Sequence, residues 1–387
     1  MTHMIPRIIE NKLRNSPKSV LLLGPRQVGK STLCQSFEPT VTVDLAEERQ
    51  FRAHLQDVGL ITRIVQSAPE DALLLIDEVQ RIPSILNSVQ SLIDSGPQRK
   101  FLLTGSSARK LKRGGANLLP GRVFVENMGP LLFWELSGNF DLERVLRLGS
   151  LPEVYLHDYG ERLLSSYVDT YLREEIQAEA VTKDLGAYAR FLDLAAELNG
   201  QHLNYSKIAS DAEIKKETVR RYFSILEDTL LVERLPSYTD VADKRRVRQK
   251  DRFVFFDIGV RNALLQKHVV QPTKTEMGHL FEHWIYLQVL HYMRLYDKPW
   301  KLSSFLTVTD QEVDLIIETG SELVAVEVKY RENINSRMAK GLHVFEKMSG
   351  STARKIIVYT GLHRQAFEQG VTAIPYGEFL GEFIPGL

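Results

Sequence analysis

Residues 20–31 read VLLLGPRQVGKS, an apolar run that leads into a glycine-rich stretch. The apolar run Val20–Leu23 predicts a buried strand, and a helix is expected to follow the loop. Residues Gly24–Ser31 fit the pattern G-x-x-x-x-G-K-[ST], in which glycines let backbone N–H groups turn inward around phosphates. Lys30 is expected to reach the β- and γ-phosphates of a nucleotide, and Ser31 to hold Mg²⁺. The stretch therefore predicts a strand, a phosphate-binding loop and a helix in succession.

Four more apolar runs indicate that this strand belongs to a larger sheet. Strands are expected at residues 41–45, 72–76, 100–104 and 123–127, with helical patterns between them. Alternation of strands and helices predicts a parallel α/β sheet. A short helix is expected within residues 1–20, where isoleucine and leucine recur at helical spacing.

Polar residues stand at the ends of two of these strands. Asp77 is placed to bind Mg²⁺, and Glu78 is placed to polarise the attacking water. Thr104 and Ser106 end the fourth strand, where they can contact the γ-phosphate or the water, although ordinary turn chemistry is the open alternative. The predicted ATP site comprises Gly24, Pro25, Arg26, Gln27, Val28, Gly29, Lys30, Ser31, Thr32, Asp77, Thr104 and Ser106, with Ser31 and Asp77 as the residues that hold Mg²⁺.

Arginines outside the loop are candidates for a role between subunits. Arg122 directly precedes the fifth predicted strand, and Arg113 lies a little earlier. Either one can act in trans on ATP bound to a neighbouring subunit, where it would stabilise charge in the transition state. An ordinary surface arginine is the alternative for each. The predicted catalytic residues of ATP hydrolysis are Lys30, Glu78 and Arg122.

The segments LLIDEVQ, LTGSS, GRV and GSLPEV, taken with Leu22–Thr32, resemble the prokaryotic AAA-type ATPases that carry a C-terminal domain of uncharacterised function. The resemblance covers nearly the whole chain. It implies an AAA+ P-loop core, a helical lid, ATP and Mg²⁺ as cofactors, and assembly into a ring or another homo-oligomer. The nucleotide-sensing arginine of the lid is expected at Arg162 or Arg173.

The middle of the chain changes from strands to helices and then to a mixed pattern. Residues 142–148, 162–179 and 187–198 have helical patterns. Two helices at 207–211 and 216–228 precede strands at 230–235 and 252–256, an order typical of a winged helix.

Six basic residues lie within Lys244–Arg252, between the two strands of the predicted wing. Such a stretch indicates contacts with nucleic-acid phosphates, with residues 216–228 as the recognition helix. A solvated charge run and a protein–protein module are the alternatives. The sequence predicts DNA as the partner.

Charged residues interrupt the apolar strands that are expected at 304–309, 312–318 and 323–329. Glu327 and Lys329 share one face of their strand, because side chains alternate along a strand. Asp314 lies within the preceding strand, and Glu282 lies on a long helix expected at 276–295. Two carboxylates can hold Mg²⁺, which polarises a phosphodiester, and a lysine can stabilise the developing charge.

This order of elements resembles the PD-(D/E)xK nuclease fold. The resemblance implies that Asp314 and Glu327 bind Mg²⁺ or Mn²⁺, that Lys329 is the catalytic lysine, and that Glu282 is an additional metal-binding carboxylate. Val313 stands where the family pattern has a proline, which is not a ligand. A simple ion pair of Lys329 with a carboxylate, and an intact fold without activity, are the alternatives.

The composition excludes several other classes of protein. The 387 residues include 43% apolar and 25% charged residues, which is typical of a soluble globular protein of two to four domains. Lysines and arginines number 49, as do aspartates and glutamates, so any attraction to nucleic acid must be local. Cys34 is the single cysteine, so no intrachain disulfide can form. No signal peptide or membrane span is expected, which favours a cytoplasmic location.

The predicted fold class is α/β, with an AAA+ core at residues 1–135, a helical lid at 136–198, a winged helix at 199–260 and a nuclease-like domain at 261–387. The predicted function is ATP hydrolysis coupled to DNA binding and metal-dependent DNA cleavage. The alternative is a nucleotide-dependent switch or regulator whose nuclease-like domain only binds nucleic acid or protein.

Overall fold

The computed structural model describes residues 5–96, 99–107, 119–136, 138–172, 185–241 and 243–387. The chain forms two compact units. The first contains Met1–Leu131 and Ser224–Leu231, and the second contains Leu132–Phe223 and Val232–Leu387.

A parallel sheet of five strands is the centre of the first unit. Its order is β2-β3-β4-β1-β5, and every neighbouring pair is parallel. Leu21, Leu22 and Leu23 are buried because helices cover both faces of a parallel sheet. The strands are β1 Ser19–Leu23, β2 Val41–Asp44, β3 Leu73–Asp77, β4 Lys100–Gly105 and β5 Val123–Asn127.

Short helices connect these strands, as the parallel arrangement requires. They are α1 Ile9–Arg14, α2 Lys30–Gln35, α3 Glu48–Gln56, α4 Leu60–Ser67 and α5 Ile85–Ser95, with a 3₁₀ turn at Val79–Arg81. Apolar residues of α4 and α5 pack with those of the strands in one core, which includes Val65 and Val89. The parallel α/β sheet that the sequence predicts is therefore confirmed.

The second unit begins with helices. They are α6 Leu142–Leu148, α7 Pro152–Leu156, α8 Gly160–Ser166, a π-helical turn at Tyr167–Leu172, α9 Leu185–Glu197, α10 Tyr205–Asp211, α11 Lys216–Asp228 and α12 Ile258–Leu264. Helix α11 belongs to the second unit only as far as Phe223. Asn204 begins α10, since its side chain accepts hydrogen bonds from the amides of Ser206 and Lys207. The predicted helix 162–179 ends differently in its described part: the α-helix stops at Ser166 and a π-helical turn follows.

Strands β6 Val232–Leu235 and β7 Arg252–Phe255 form an antiparallel pair, as the winged-helix pattern predicts. The segment between them, residues 236–251, does not stay within that pair. It contacts strand β8, Lys301–Leu306, and the turn after it: Tyr238 N donates to Ser304 O at 2.7 Å, and Arg248 N donates to Leu306 O at 2.8 Å. The basic stretch therefore lies along the edge of the C-terminal sheet. The sequence had predicted it between the two strands of a wing.

The C-terminal sheet has six strands in the order β12-β13-β11-β10-β9-β8. Strands β8 and β9 are antiparallel, as are β9 and β10, whereas β10, β11 and β13 run parallel. The long helix α13, Lys274–Leu295, begins with a capping box of Thr273 and Glu276. The remaining elements are β9 Glu312–Glu318, β10 Leu323–Lys329, α14 Lys340–Ser349, β11 Arg354–Tyr359, β12 Gln365–Phe367, β13 Val371–Pro375 and α15 Tyr376–Glu378.

Between β11 and β13 lie β12 and a 3₁₀ turn at Glu368–Gly370, and Gln365–Phe367 pairs with β13. One strand prediction for this region is wrong in detail. The strand expected at 304–309 lies at Lys301–Leu306, since Thr307 N donates to Gln311 O and turns the chain. The strands 312–318 and 323–329 are confirmed.

Candidate functional site

The predicted phosphate-binding loop follows β1 and ends at α2. Gly24 tolerates no side chain, because a Cβ there would overlap the carbonyl oxygen of Met128. Gly29 has φ of 94°, a left-handed conformation that favours glycine. Both glycines of the motif are therefore required by the backbone.

Lys30 is buried inside this loop. Its ammonium donates to the carbonyl oxygens of Gly24 at 2.8 Å and Pro25 at 2.7 Å. Two neutral carbonyls do not cancel a full charge, so the ammonium keeps its attraction for an anion.

The other predicted loop residues have different degrees of exposure. Val28 is buried, and its carbonyl accepts from the Arg7 guanidinium at 2.6 Å. The same guanidinium donates to Gly129 O at 2.8 Å, so Arg7 ties the loop to the segment after β5. Arg26 and Ser31 are half-buried, whereas Gln27 and Thr32 are exposed.

Asp77 and Thr104 meet at the carboxyl ends of β3 and β4. The Thr104 hydroxyl donates to the Asp77 carboxylate and accepts from Glu78 N at 3.1 Å. Glu78 has φ of 58°, a left-handed conformation that turns its side chain away from the strand direction. The predicted Mg²⁺ residue and the predicted water-polarising residue are thus held by the same threonine.

Gln80 was not singled out by the sequence analysis. Its amide Nε2 donates to Glu78 Oε2 and, at 2.8 Å, to the Ser106 hydroxyl. Among the described residues its Oε1 atom is buried and has no hydrogen-bond partner. Gln80 therefore orients Glu78. Gln80 is the last residue of the LLIDEVQ segment, but no motif spacing indicated a functional role for it.

The charges of this site also affect Cys34 in helix α2. Burial and, to a smaller extent, the Asp77 carboxylate raise the pKa of its thiol to about 12, and Lys30 opposes them. Both charges of the site therefore act on the thiol of Cys34.

The arginines predicted to act in trans do not reach this loop from within the chain. Arg122 precedes β5, which runs parallel to β1, so it lies at the opposite edge of the sheet from the loop. It forms a bidentate pair with Asp94, at 2.8 and 2.9 Å. Arg113 and Arg173 lie outside the described residues, and Arg162 is exposed on α8. The role of Arg122 between subunits stays a prediction.

Asp314, Glu327 and Lys329 come together in the second unit. Leu315 of β9 pairs with Val326 of β10, so the next residues along the antiparallel register, Asp314 and Glu327, lie side by side. Lys329 Nζ lies 2.5 Å from Glu327 Oε1 and 3.9 Å from Asp314 Oδ2. Asp314 Oδ2 also accepts from Val328 N at 2.7 Å.

Two further carboxylates and an arginine adjoin these residues. Arg252 lies 3.3 Å from Glu282 Oε2 and 3.3 Å from Glu312 Oε1. Glu312 is also 3.3 Å from His202 Nε2. We call this group the carboxylate cluster: Glu282, Glu312, Asp314 and Glu327, with Arg252 and Lys329 as its cations.

Burial and mutual repulsion raise the pKa values of two carboxyl groups in the cluster. Burial and the Asp314 charge raise the pKa of Glu327 to about 8, and the same two causes raise the pKa of Glu282 well above its usual range. Burial works against the charge of Lys329, but Asp314 and Glu327 outweigh it and raise the pKa of its ammonium. For Glu312, His202 and Arg252 outweigh burial and lower the pKa.

The cluster contains four carboxylates and two cations, Arg252 and Lys329. In the described part of the chain, Glu327 Oε2 is buried with no hydrogen-bond partner. Among the same residues, no three His, Cys, Asp or Glu side chains are grouped so as to enclose a metal ion. Metal binding by Asp314, Glu327 and Glu282 therefore stays a prediction.

Sequence reasoning missed Arg252 and Glu312 as members of this cluster. Arg252 was grouped with the basic stretch, although it is buried and only 8% exposed. Its position at the start of an apolar strand was the available signal. No side chain in the sequence indicated which carboxylate it would meet.

The basic stretch has three exposed residues in one 3₁₀ turn, Lys244–Arg246. Arg245 pairs with Asp243, and Arg248 pairs with Asp310 at 2.8 Å. Lys244 and Arg246 thus carry exposed positive charge on this stretch.

None of the described helices has the length and hydropathy to cross a bilayer.

Fold and site together define the first unit as a P-loop nucleotide-binding domain. Residues 16–137 match a family model described as an AAA domain, which supports a P-loop ATPase. Residues 139–270 and 277–379 match models described as domains of unknown function, DUF8612 and DUF4143.

Similar proteins are found in bacteria and archaea. The uncharacterized protein Rv2008c of Mycobacterium tuberculosis is 26% identical over 373 residues, which cover 93% of this chain and 80% of that protein. The uncharacterized protein MJ1544 of Methanocaldococcus jannaschii is 20% identical over 258 residues, covering 58% and 57%. The structure of a DNA polymerase III gamma subunit-related protein of Thermotoga maritima is 12% identical in sequence. The match covers 57% of this chain and 98% of that chain, with a TM-score of 0.27.

Proposed function

We propose that the protein hydrolyses ATP in its first unit, binds DNA, and cleaves DNA at the carboxylate cluster of its second unit. Among the described residues, Glu327 Oε2 lies buried with no hydrogen-bond partner, and this observation carries the cleavage part, because such a carboxylate oxygen can bind a cation. The glycine-bounded loop around Lys30 carries the ATP part.

In the first unit, each residue of the site has a separate task. Amides of the loop and the Lys30 ammonium hold the phosphates, while Ser31 and Asp77 would hold Mg²⁺. Mg²⁺ supplies neutralisation of phosphate charge when bound. Glu78, oriented by Gln80, polarises the water that attacks the γ-phosphorus as the bond to the β-phosphate oxygen breaks. Thr104 and Ser106 lie where they can contact the γ-phosphate or that water.

In the second unit, Asp314 and Glu327 would hold Mg²⁺ or Mn²⁺. The cation supplies Lewis acidity toward a phosphodiester. Lys329 orients the attacking water and stabilises the charge that develops on the phosphate. Such a division of tasks gives hydrolysis of a phosphodiester bond of DNA.

DNA contact is supported by exposed positive charge. Lys244 and Arg246 stand on the segment that borders β8, and Lys216, Arg220 and Arg221 lie on or beside the predicted recognition helix α11. Cations at such positions neutralise phosphates without reading the base sequence. We also propose assembly into a homo-oligomer, since AAA-type proteins often assemble, with Arg122 acting on a neighbouring subunit.

Four purified full-length proteins test this proposal: wild type, Lys30→Ala, Asp314→Asn and Asp310→Asn. ATP turnover and degradation of plasmid and single-stranded DNA are measured with Mg²⁺ or Mn²⁺. We expect Asp314→Asn to lose cleavage by about 100-fold or more with ATP turnover intact, and Lys30→Ala to lose ATP turnover. Asp310→Asn is the matched control, because Asp310 is exposed and pairs with Arg248 outside the cluster.

The same assays separate cleavage from the alternative function. ATP turnover without cutting of any DNA under either metal favours a nucleotide-dependent switch whose second unit only binds. In that case the Lys329–Glu327 contact is a structural ion pair. Absence of nucleotide binding by wild type would contradict the ATPase part as well.

A further inference from the structure

Arg252 is held in one position by bonds in several directions. Its Nε donates to Gly200 O, and its Nη1 lies 3.4 Å from Asp314 O. The two remaining contacts are the ion pairs with Glu282 and Glu312, each at 3.3 Å. A planar guanidinium with this many partners is fixed both in place and in orientation.

The two cations of the cluster divide its four carboxylates between them. Arg252 contacts Glu282 and Glu312, whereas Lys329 contacts Glu327 and, at 3.9 Å, Asp314. Each cation thus faces two carboxylates with one charge, and on the Lys329 side Glu327 Oε2 has no hydrogen-bond partner among the described residues. The remaining demand for positive charge lies on the side of Asp314 and Glu327.

A small cleft adjoins this group. Its lining includes Arg252, Glu282 and Asp314, together with His279. Arg252 thus lines the same cleft as one carboxylate of each pair.

We infer that Arg252 is a positioning residue of the cleavage site: by holding Glu282 and Glu312 in ion pairs, it leaves Asp314 and Glu327 as the pair that takes the divalent cation. This inference rests on the proposed cleavage function. It implies that loss of the guanidinium charge makes the cluster more attractive to a cation. It also implies that the cation is then shared with Glu282 and Glu312 and cleavage becomes slower.

The test combines Mn²⁺ titration calorimetry on nucleotide-free, full-length protein with DNA cleavage and thermal unfolding. Arg252→Met removes the charge and keeps the length of the side chain. We expect Mn²⁺ to bind about tenfold more tightly, because a positive charge near the site is lost. We also expect cleavage to fall about tenfold or more. Arg252→Lys keeps the charge and should leave Mn²⁺ affinity within about twofold of wild type.

Two further variants make the outcome decisive. Arg354→Met is the matched control, since Arg354 pairs with Glu322 outside the cluster and should change neither Mn²⁺ affinity nor cleavage. Arg252→Gln keeps donors for Gly200 O and is the second neutral variant if Arg252→Met unfolds. Unchanged Mn²⁺ affinity in a folded neutral variant would overturn the inference. A loss of cleavage that is matched by an equal loss of thermal stability would also overturn it and leave Arg252 a structural bridge. Absence of any Asp314-dependent Mn²⁺ binding in wild type would instead overturn the cleavage function itself.

Discussion

Two lysines show how differently the two candidate sites surround the same side chain. Lys30 of the first unit bonds to the neutral carbonyls of Gly24 and Pro25, whereas Lys329 of the second unit lies among carboxylates. In the proposed functions, Lys30 faces the phosphates of a nucleotide, whereas Lys329 acts beside carboxylates that would hold a cation. One residue type serves different electrostatic tasks, because its neighbours differ.

The largest expected effect concerns the ATP site of the first unit only. Lys30→Met should reduce ATP hydrolysis about 1,000-fold, since the loop loses its charge toward the phosphates. Cation-dependent DNA cleavage measured without ATP should remain at the wild-type rate. Lys18→Met is the control, because Lys18 is an exposed lysine that donates to Gly121 O. Retained hydrolysis in Lys30→Met would contradict the assignment of the loop.

A second prediction compares the units by their dependence on pH. Burial raises the pKa of Asp257 in the second unit to about 6, although amides of Ser150 and Val260 donate to its carboxylate. A raised pKa means that the folded state disfavours the charged form. The stability this group contributes is full below its ordinary pKa and is lost as pH rises through about 6.

We therefore expect the unfolding free energy of wild type, relative to Asp257→Asn, to fall by about 2 kcal/mol between pH 4 and pH 7. All three tryptophans, Trp134, Trp284 and Trp300, belong to the second unit. Urea unfolding followed by tryptophan fluorescence thus reports on that unit. A difference that does not change with pH would show that Asp257 is not the cause.

A third, smaller effect sharpens the role of Glu78 in the first site. Gln80→Leu removes the amide that donates to Glu78 and Ser106, so hydrolysis should fall about tenfold while ATP affinity stays near wild type. Steady-state kinetics separate kcat from KM here. Gln90→Leu on helix α5 is the control substitution. An equal loss in both variants would indicate a general effect on folding.

The smallest effect concerns the basic segment. Replacing both Lys244 and Arg246 by glutamine should reduce the slope of log affinity against log salt by about two, because each phosphate contact contributes about 0.9. Affinity for DNA should fall to a similar extent for every sequence, as fluorescence anisotropy would show. Lys274→Gln, an exposed lysine of α13, is the control. An unchanged salt slope would place DNA elsewhere.

The two sites also differ in how far the sequence predicts them. The loop from Gly24 to Ser31 is continuous, and Asp77 and Thr104 end strands that neighbour each other in a parallel sheet, so local patterns were enough. Asp314, Glu327 and Lys329 were predicted because antiparallel neighbours share a face. Arg252 and Glu312 were missed, since their meeting depends on packing between segments far apart in the chain. Gln80 was missed because its partner Ser106 follows β4, far from Gln80 in the sequence.

The basic stretch teaches the same limit in a different way. Lys244–Arg246 are exposed, as contacts with phosphates would require. The attachment of this stretch to β8, however, depends on backbone hydrogen bonds. Backbone groups are the same in every residue, so composition carries no trace of such pairing.

Attachment of residues 236–248 to β8 has a consequence for the whole C-terminal sheet. A strand at the border of a sheet presents free amides and carbonyls that recruit strands from other molecules. Here Tyr238 and Arg248 occupy such groups on β8, and the opposite border, β12, is only three residues long. A fragment that starts after residue 260 would lose this cover and tend to self-associate into aggregates.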